Sequence, residues 1–154
     1  MFSIVSFLCF LIIVVPVSML VHELGHAFGA ILIGAASVSI QLGIGRKVLS
    51  LKFGKVRLTI RLIPWFGAYT KSMLRAETSN LKGALIPAGG PIISMAVFAI
   101  LLLSYIEWTT EWLSFALLFN GWLAIVNTIP FRLGKKQSDG YTVLYMLLHR
   151  KHRV

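Results

Sequence analysis

The sequence has few charged residues, few acids and a single cysteine. Charged residues make up 13% of its 154 positions, about half of the roughly 25% that a soluble domain carries. So little charge cannot cover a water-soluble globule, which excludes an ordinary cytosolic enzyme, a disordered tail and a soluble nucleic-acid binder. The lone Cys9 excludes a disulfide framework and a cysteine-rich zinc module. The length is that of one domain, residues 1–154.

Long apolar stretches stand where the charge is missing. Hydrophobic residues reach 57% of the chain, and three stretches are long enough to cross a bilayer of about 30 Å as helices. They predict spans at residues 2–34, 83–106 and 112–130. The first stretch lacks a basic start and is too long for the core of a signal peptide, so we expect a retained helix. Residues 141–148 are apolar but short, which predicts an interfacial helix or a partly inserted hairpin.

The basic residues predict a direction for these spans. All 15 of them lie either between the first and second stretches or after the third, and the N-terminus has none. The turn between the second and third stretches carries Glu107 and Glu111 instead. By the positive-inside rule, the N-terminus lies outside and both basic segments lie in the cytoplasm. The net charge of +10 is therefore a topology signal, and no nucleic-acid partner is expected.

The segment between the first two spans has the period of a β-sheet. Apolar and polar residues alternate from Leu49 to Phe53 and again from Val56 to Leu62, on either side of Gly54. Alternation around a glycine predicts a hairpin with one apolar face, and Val38 to Ile44 is a candidate for a further strand. We expect a cytoplasmic β region over residues 37–70, associated with the membrane surface or the helices. The exposed edge of the 48–62 hairpin could bind an extended substrate by strand addition.

One motif carries the chemistry. His22-Glu23-Leu24-Gly25-His26 is an H-E-x-x-H sequence, and on a helix its two histidines lie on one face, separated by about 6 Å of rise. Two imidazoles in that arrangement can bind one Zn²⁺, while the glutamate takes a proton from water. The alternative is two helix-capping histidines near the headgroups. It does not explain why three ionisable residues, His22, Glu23 and His26, lie in a membrane span, where burying them is costly.

A catalytic zinc site needs a third protein ligand, and the sequence offers few. Glu107 and Glu111 lie on the outer side, and Cys9 lies about 20 Å away along the helix. The residues alone leave four candidates, which are Glu77, Asp139, His149 and His152. The two histidines belong to a basic terminal stretch that is typical of a solvated tail.

Together these features resemble the site-2 protease family of intramembrane zinc metalloproteases, peptidase family M50. That family combines the H-E-x-x-H helix with a later helix bearing N-x-x-P followed by D-G, which match Asn127 to Pro130 and Asp139-Gly140 here. Gly89-Gly90-Pro91 resembles the glycine-proline segment of the middle core helix. Two departures are Ser138, where Leu is usual, and the longer spacing from Asn127 to Asp139, which predicts an expanded loop.

The resemblance implies an α-helical integral membrane protein. It has a three-helix core, a membrane-associated β-sheet between the first two helices and a short C-terminal interfacial helix. It implies zinc held by His22, His26 and Asp139, with Glu23 as the general base. Asn127 would stabilise the oxyanion, or alternatively make an interhelical hydrogen bond. Gly89, Gly90 and Pro91 would admit and bind substrate, or alternatively allow close helix packing.

The predicted function is hydrolysis of a peptide bond in a membrane protein or peptide, at a bilayer that the small chain size indicates to be bacterial. The alternative is a catalytically inactive zinc-binding membrane scaffold or partner protein of the same fold, although a structural site has no use for Glu23 as a base. A metal transporter would need ionisable residues across the membrane, and spans two and three have none. A homo-oligomer that covers the flanks of the small core is a further expectation.

Overall fold

A computed structural model describes residues 3–75, 78–107, 110–134 and 136–149. Its elements, in chain order, are α1 (Ile4–Cys9), a π-helical turn (Phe10–Val14), α2 (Val15–Leu32), β1 (Ala35–Phe53), β2 (Val56–Leu74), α3 (Asn80–Gly83), α4 (Leu85–Glu107), α5 (Glu111–Thr128), β3 (Arg132–Leu133), β4 (Lys136–Gln137) and α6 (Asp139–Leu148). The predicted order of a helix, a β region, two further helices and a terminal helix is the order observed.

The first predicted span forms one uninterrupted helical rod. Ser3 caps its start, since the Ser3 hydroxyl accepts a hydrogen bond from the backbone N–H of Ser6 at 3.0 Å. The π-helical turn ends at Val14, two residues before Pro16, which has no N–H to donate to the preceding turn of the helix. The wider π-helical turn accommodates the hydrogen bond that is missing at Pro16. The rod ends at Leu32, and Gly34, with φ of 89°, turns the chain into β1.

Two helices of the described residues are long and apolar enough to cross a membrane, Ile4–Leu32 and Asn80–Ile106. The third predicted span forms the 18-residue helix α5, which is not one of these two. All three helices expose large apolar side chains. Ile4 is 79% exposed, Leu103 67% and Leu118 69%. Lipid, rather than water, is the solvent that suits such surfaces.

The β region is longer and more folded than the predicted hairpin. Residues 38–42 pair antiparallel with residues 72–68 and, on their other side, with residues 56–60 in rising order, which is a parallel pairing. Residues 56–60 also pair antiparallel with residues 53–49. Each strand thus folds back on itself, and the sheet has four paired segments in the order 68–74, 35–42, 56–60 and 49–53. Gly43 permits the bend in β1, with φ of 83° and no room for a Cβ beside Ile63.

Small residues let the sheet approach the helix. Ala27 and Ala30 of α2 are almost fully buried, and they pack in one cluster with Ala35, Val38 and Ile40 of β1. Ile40 has no exposed surface. Because alanine carries no side chain beyond Cβ, the sheet segment of residues 35–42 can lie close along the second half of α2. This contact fixes the sheet beside the H-E-x-x-H motif.

The described residues of the expanded loop between Asn127 and Asp139 include two short strands. They form a small antiparallel hairpin, in which Arg132 pairs with Gln137 and Leu133 pairs with Lys136. The chain then enters α6, which covers the predicted interfacial helix and starts two residues earlier than residue 141.

Candidate metal centre and active site

The three predicted metal ligands converge. Helix α2 presents His22 and His26 on one face, and their Nε2 atoms lie 3.2 Å apart. The Oδ2 atom of Asp139 lies 3.1 Å from Nε2 of His22 and 3.4 Å from Nε2 of His26. Ligand atoms bound tetrahedrally to zinc at about 2.0–2.1 Å stand about 3.3–3.4 Å from one another. The spacing of the three atoms therefore fits zinc without rearrangement.

Both histidine rings are oriented by groups on α4. Nδ1 of His26 donates to the backbone carbonyl of Ile86 at 2.8 Å, and Nδ1 of His22 lies 2.9 Å from the hydroxyl of Ser94. Since a carbonyl only accepts, the tautomer of neutral His26 with its proton on Nδ1 satisfies this bond and leaves the lone pair of Nε2 for the centre. Ser94 is 1% exposed. The rings are held by buried partners of the kind that tune metal ligands.

Ser138 places Asp139. The Ser138 hydroxyl donates to the carbonyl of Ile129 at 2.7 Å and accepts from the N–H groups of Phe131 and Tyr141, each at 3.1 Å. It thereby caps α6 and ties both ends of the small hairpin together. The next residue after Asp139, Gly140, has no space for a Cβ, which would collide with the carbonyl oxygen of Thr128. The departure from the usual Leu at position 138 thus serves the positioning of the carboxylate.

The electrostatics of Asp139 suit a ligand. Burial alone would raise the pKa of the Asp139 carboxyl, but the hydrogen bonds and the charges of His22 and His26 together outweigh burial. The pKa of Asp139 consequently lies below its ordinary value, and the carboxylate is ionised at neutral pH. Glu23 is 6% exposed and directly follows a ligand on α2.

Of the other predicted third ligands, only His149 belongs to the described residues. Its ring stacks on Tyr145, with the ring centroids 4.1 Å apart, and Nδ1 bonds the Tyr145 carbonyl at 3.0 Å. His149 is therefore no part of the cluster. Glu77 and His152 lie outside the described residues. Within the described ranges, His22, His26 and Asp139 form the group of potential metal ligands.

The centre lies in a cleft of about 1020 Å³. His22, Glu23, His26 and Asp139 line it. Ala68, Tyr69 and Thr70 line it too, and they belong to the outer segment of the sheet, residues 68–74. Asn127 also lines the cleft, and its amide donates to the carbonyl of Leu123 in its own helix at 2.9 Å. The small hairpin contributes Lys136 and Gln137. An open cleft lined by converging titratable side chains is the arrangement expected of a binding or active site.

Gly89 and Gly90 lie at the contact of α2 with α4. A Cβ at Gly89 would collide with the carbonyl oxygen of Gly25, and a Cβ at Gly90 would lie 2.5 Å from Nε2 of His26. Neither glycine nor Pro91 lines the cleft. These positions are those expected for close helix packing, and a substrate-binding role for the three residues stays a prediction.

The sequence itself matches a known family over most of its length. The profile of peptidase family M50 matches residues 10–110. The chain belongs to peptidase family M50. It is also 30% identical over 154 residues to an uncharacterized membrane protein, YwmF, of Bacillus subtilis (strain 168), and the alignment covers 97% of this chain and 92% of that protein. M50 members are zinc metalloproteases. The profile match ends before Asn127 and Asp139. The structure places Asp139 beside the two histidines and Asn127 in the lining of the cleft.

Two residues that contact this candidate site were not predicted from the sequence. Ser94 lies 72 positions from its partner His22, and serine in an apolar helix has no distinctive pattern. Thr70 donates to the carboxylate of Glu23 from the outer sheet segment. In the sequence, Thr70 is an ordinary polar residue of an alternating strand. Its contact with Glu23 is therefore visible only in the folded sheet.

Proposed function

We propose that the protein is an intramembrane zinc metalloprotease that hydrolyses a peptide bond of a membrane-associated protein or peptide. The single observation that carries the proposal is the convergence of His22, His26 and Asp139 at zinc-like spacing beside Glu23. A structural zinc site usually has four protein ligands. Three ligands that open onto a cleft are the pattern of a catalytic site.

Each residue of the centre has its own part in the chemistry. His22, His26 and Asp139 would hold a zinc ion, which would supply Lewis acidity to the scissile carbonyl and to water. The Glu23 carboxylate accepts a proton from the attacking water and later gives it to the leaving amine nitrogen. An amide has two N–H donors. Asn127 uses one of them on Leu123, and we assign the other to the oxyanion of the tetrahedral intermediate.

The outer segment of the sheet suits an extended substrate. Residues 68–74 are paired on one side only within the described chain, and Ala68, Tyr69 and Thr70 line the cleft. A peptide that pairs with this edge would present its carbonyl groups beside the ligands. The 48–62 hairpin was the predicted place for strand addition. Residues 48–62 do not line the cleft and residues 56–60 are paired on both sides, so the cleft favours the 68–74 edge. Strand addition at the other edge of the hairpin, residues 49–53, stays a prediction.

We further propose that α5 completes a three-helix membrane core, with the N-terminus outside and the C-terminus in the cytoplasm of a bacterial cell. The uneven distribution of basic residues supports this direction. In a Cys9→Ser background, Lys55→Cys should react with an impermeant thiol reagent only after cells are opened. Thr110→Cys should react in intact cells, and the reverse result would overturn the topology. Crosslinking in native membranes tests for a homo-oligomer.

The proteolytic activity can be tested before the substrate is identified. Membranes of cells that express wild-type protein or Glu23→Gln are compared by mass spectrometry for new peptide termini. Proteolysis predicts termini that are present with wild type and absent with the variant, while both proteins bind zinc. Identical termini in both membranes, with zinc bound, would favour the inactive scaffold.

A further inference from the structure

Glu23 has a hydrogen-bond partner on the sheet. The Thr70 hydroxyl donates to Oε2 of Glu23 over 2.7 Å and lies 3.2 Å from the backbone carbonyl oxygen of the same residue. Glu23 is 6% exposed and Thr70 is partly buried. A hydroxyl that donates to a carboxylate makes a short, charge-assisted bond, which gains strength away from water.

The position of Thr70 is fixed by the core. Its backbone pairs with Ile40, which has no exposed surface and packs in the cluster with Ala27 and Ala30 of α2. Threonine is also stiff about χ1 because its Cβ is branched. The hydroxyl is therefore held at a set place relative to the helix that carries the glutamate.

We propose that Thr70 is a positioning residue that holds the Glu23 carboxylate in one orientation during proton transfer, an inference that rests on the proposed function. A glutamate side chain has three rotatable bonds, and a general base must lie within hydrogen-bond reach of the water that it deprotonates. Thr70 engages Oε2, so the structure assigns proton transfer to Oε1. Thr70 also belongs to the edge segment proposed for substrate, so one strand both aligns the base and receives the peptide.

The test uses the full-length chain in lipid vesicles, with a synthetic peptide that spans a cleavage site found by the terminus comparison. Thr70→Val keeps the shape of the side chain and removes the donor, whereas Thr70→Ser keeps the donor. We expect Thr70→Val to lower kcat by about 10- to 100-fold, with KM and bound zinc unchanged. Thr70→Ser should restore most of kcat. Thr59→Val, the same substitution elsewhere on β2, is the matched control and should keep wild-type kcat.

An infrared measurement tests the contact without turnover. The difference spectrum between Thr70→Val and wild type should contain a carboxylate band, because the bond to Oε2 is lost. The same difference in a Glu23→Gln background should lack that band. Wild-type kcat in Thr70→Val would overturn the inference, as would equal losses in the Val and Ser variants. Absence of any cleavage by wild type would instead refute the proposed function, while the infrared result would still report on the contact.

Discussion

Replacement of Gly90 by alanine should disrupt the metal centre from outside its ligand set. A Cβ at this position would lie 2.5 Å from Cε1 and Nε2 of His26 and 2.7 Å from Nε2 of His22. Ordinary contact between such atoms needs about 3.5 Å, so the rings or the helix must move by on the order of 1 Å. Metal sites tolerate deviations of only about 0.2 Å in their ligand distances.

We therefore expect Gly90→Ala to weaken zinc binding by at least about 10- to 100-fold, the effect typical of disturbing a ligand's support. Competition with a chromogenic chelator, on purified protein in detergent, measures the affinity. Gly83→Ala is the matched control, because its Cβ would meet the Sδ atom of Met146 at an ordinary 3.7 Å. Zinc affinity of Gly90→Ala equal to that of Gly83→Ala would refute the close contact between α2 and α4 at the metal centre.

Three other perturbations of the same centre have defined outcomes. Asp139→Ala should abolish stoichiometric zinc binding measured by elemental analysis, and undiminished binding would reassign the third ligand to Glu77 or His152. Ser138→Ala removes the cap of α6 and should lower the free energy of unfolding by about 1 kcal/mol or more; an unchanged thermal midpoint would contradict the role of this hydroxyl. In the metal-free protein, the pKa of Asp139 is lowered by folding. The Asp139 carboxylate thus stabilises the fold above its unfolded-state pKa, and this contribution is lost as pH falls through its folded-state pKa. On acidification, the metal-free Asp139→Asn variant should lose less free energy of unfolding than metal-free wild type. Equal losses in the two proteins would contradict this account.

Local periodicity made the first part of the site predictable. The helical repeat alone places His22 and His26 on one face, and their interaction requires nothing beyond α2. Asp139 could be predicted as a ligand for a different reason. The chain has only five acids, so elimination and the D-G resemblance left a short set of candidates, among which the structure brings Asp139 to the histidines.

Long-range contacts explain what the sequence did not predict. The alternation of β1 and β2 indicates a hairpin, but nothing in it specifies that residues 38–42 pair on both sides. That second pairing depends on the bend at Gly43 and on the small residues of α2. The second pairing determines that residues 68–74 form the sheet edge at the cleft, and therefore that Thr70 reaches Glu23. A register set by tertiary packing cannot be read from the period of two.

The departures from the family pattern also gained a physical account. Residue 138 is a buried serine with three hydrogen bonds, and the additional residues before it form a paired hairpin. The longer spacing therefore leaves Asp139 within 3.4 Å of both histidines.

The central claim is that zinc held by His22, His26 and Asp139 acts together with Glu23 to hydrolyse a peptide bond. The most direct test measures bound zinc and peptide cleavage on the same vesicle preparations of wild type and Glu23→Gln. We predict one zinc per chain in both preparations, with cleavage by wild type alone. Cleavage at the wild-type rate by zinc-loaded Glu23→Gln would contradict the claim.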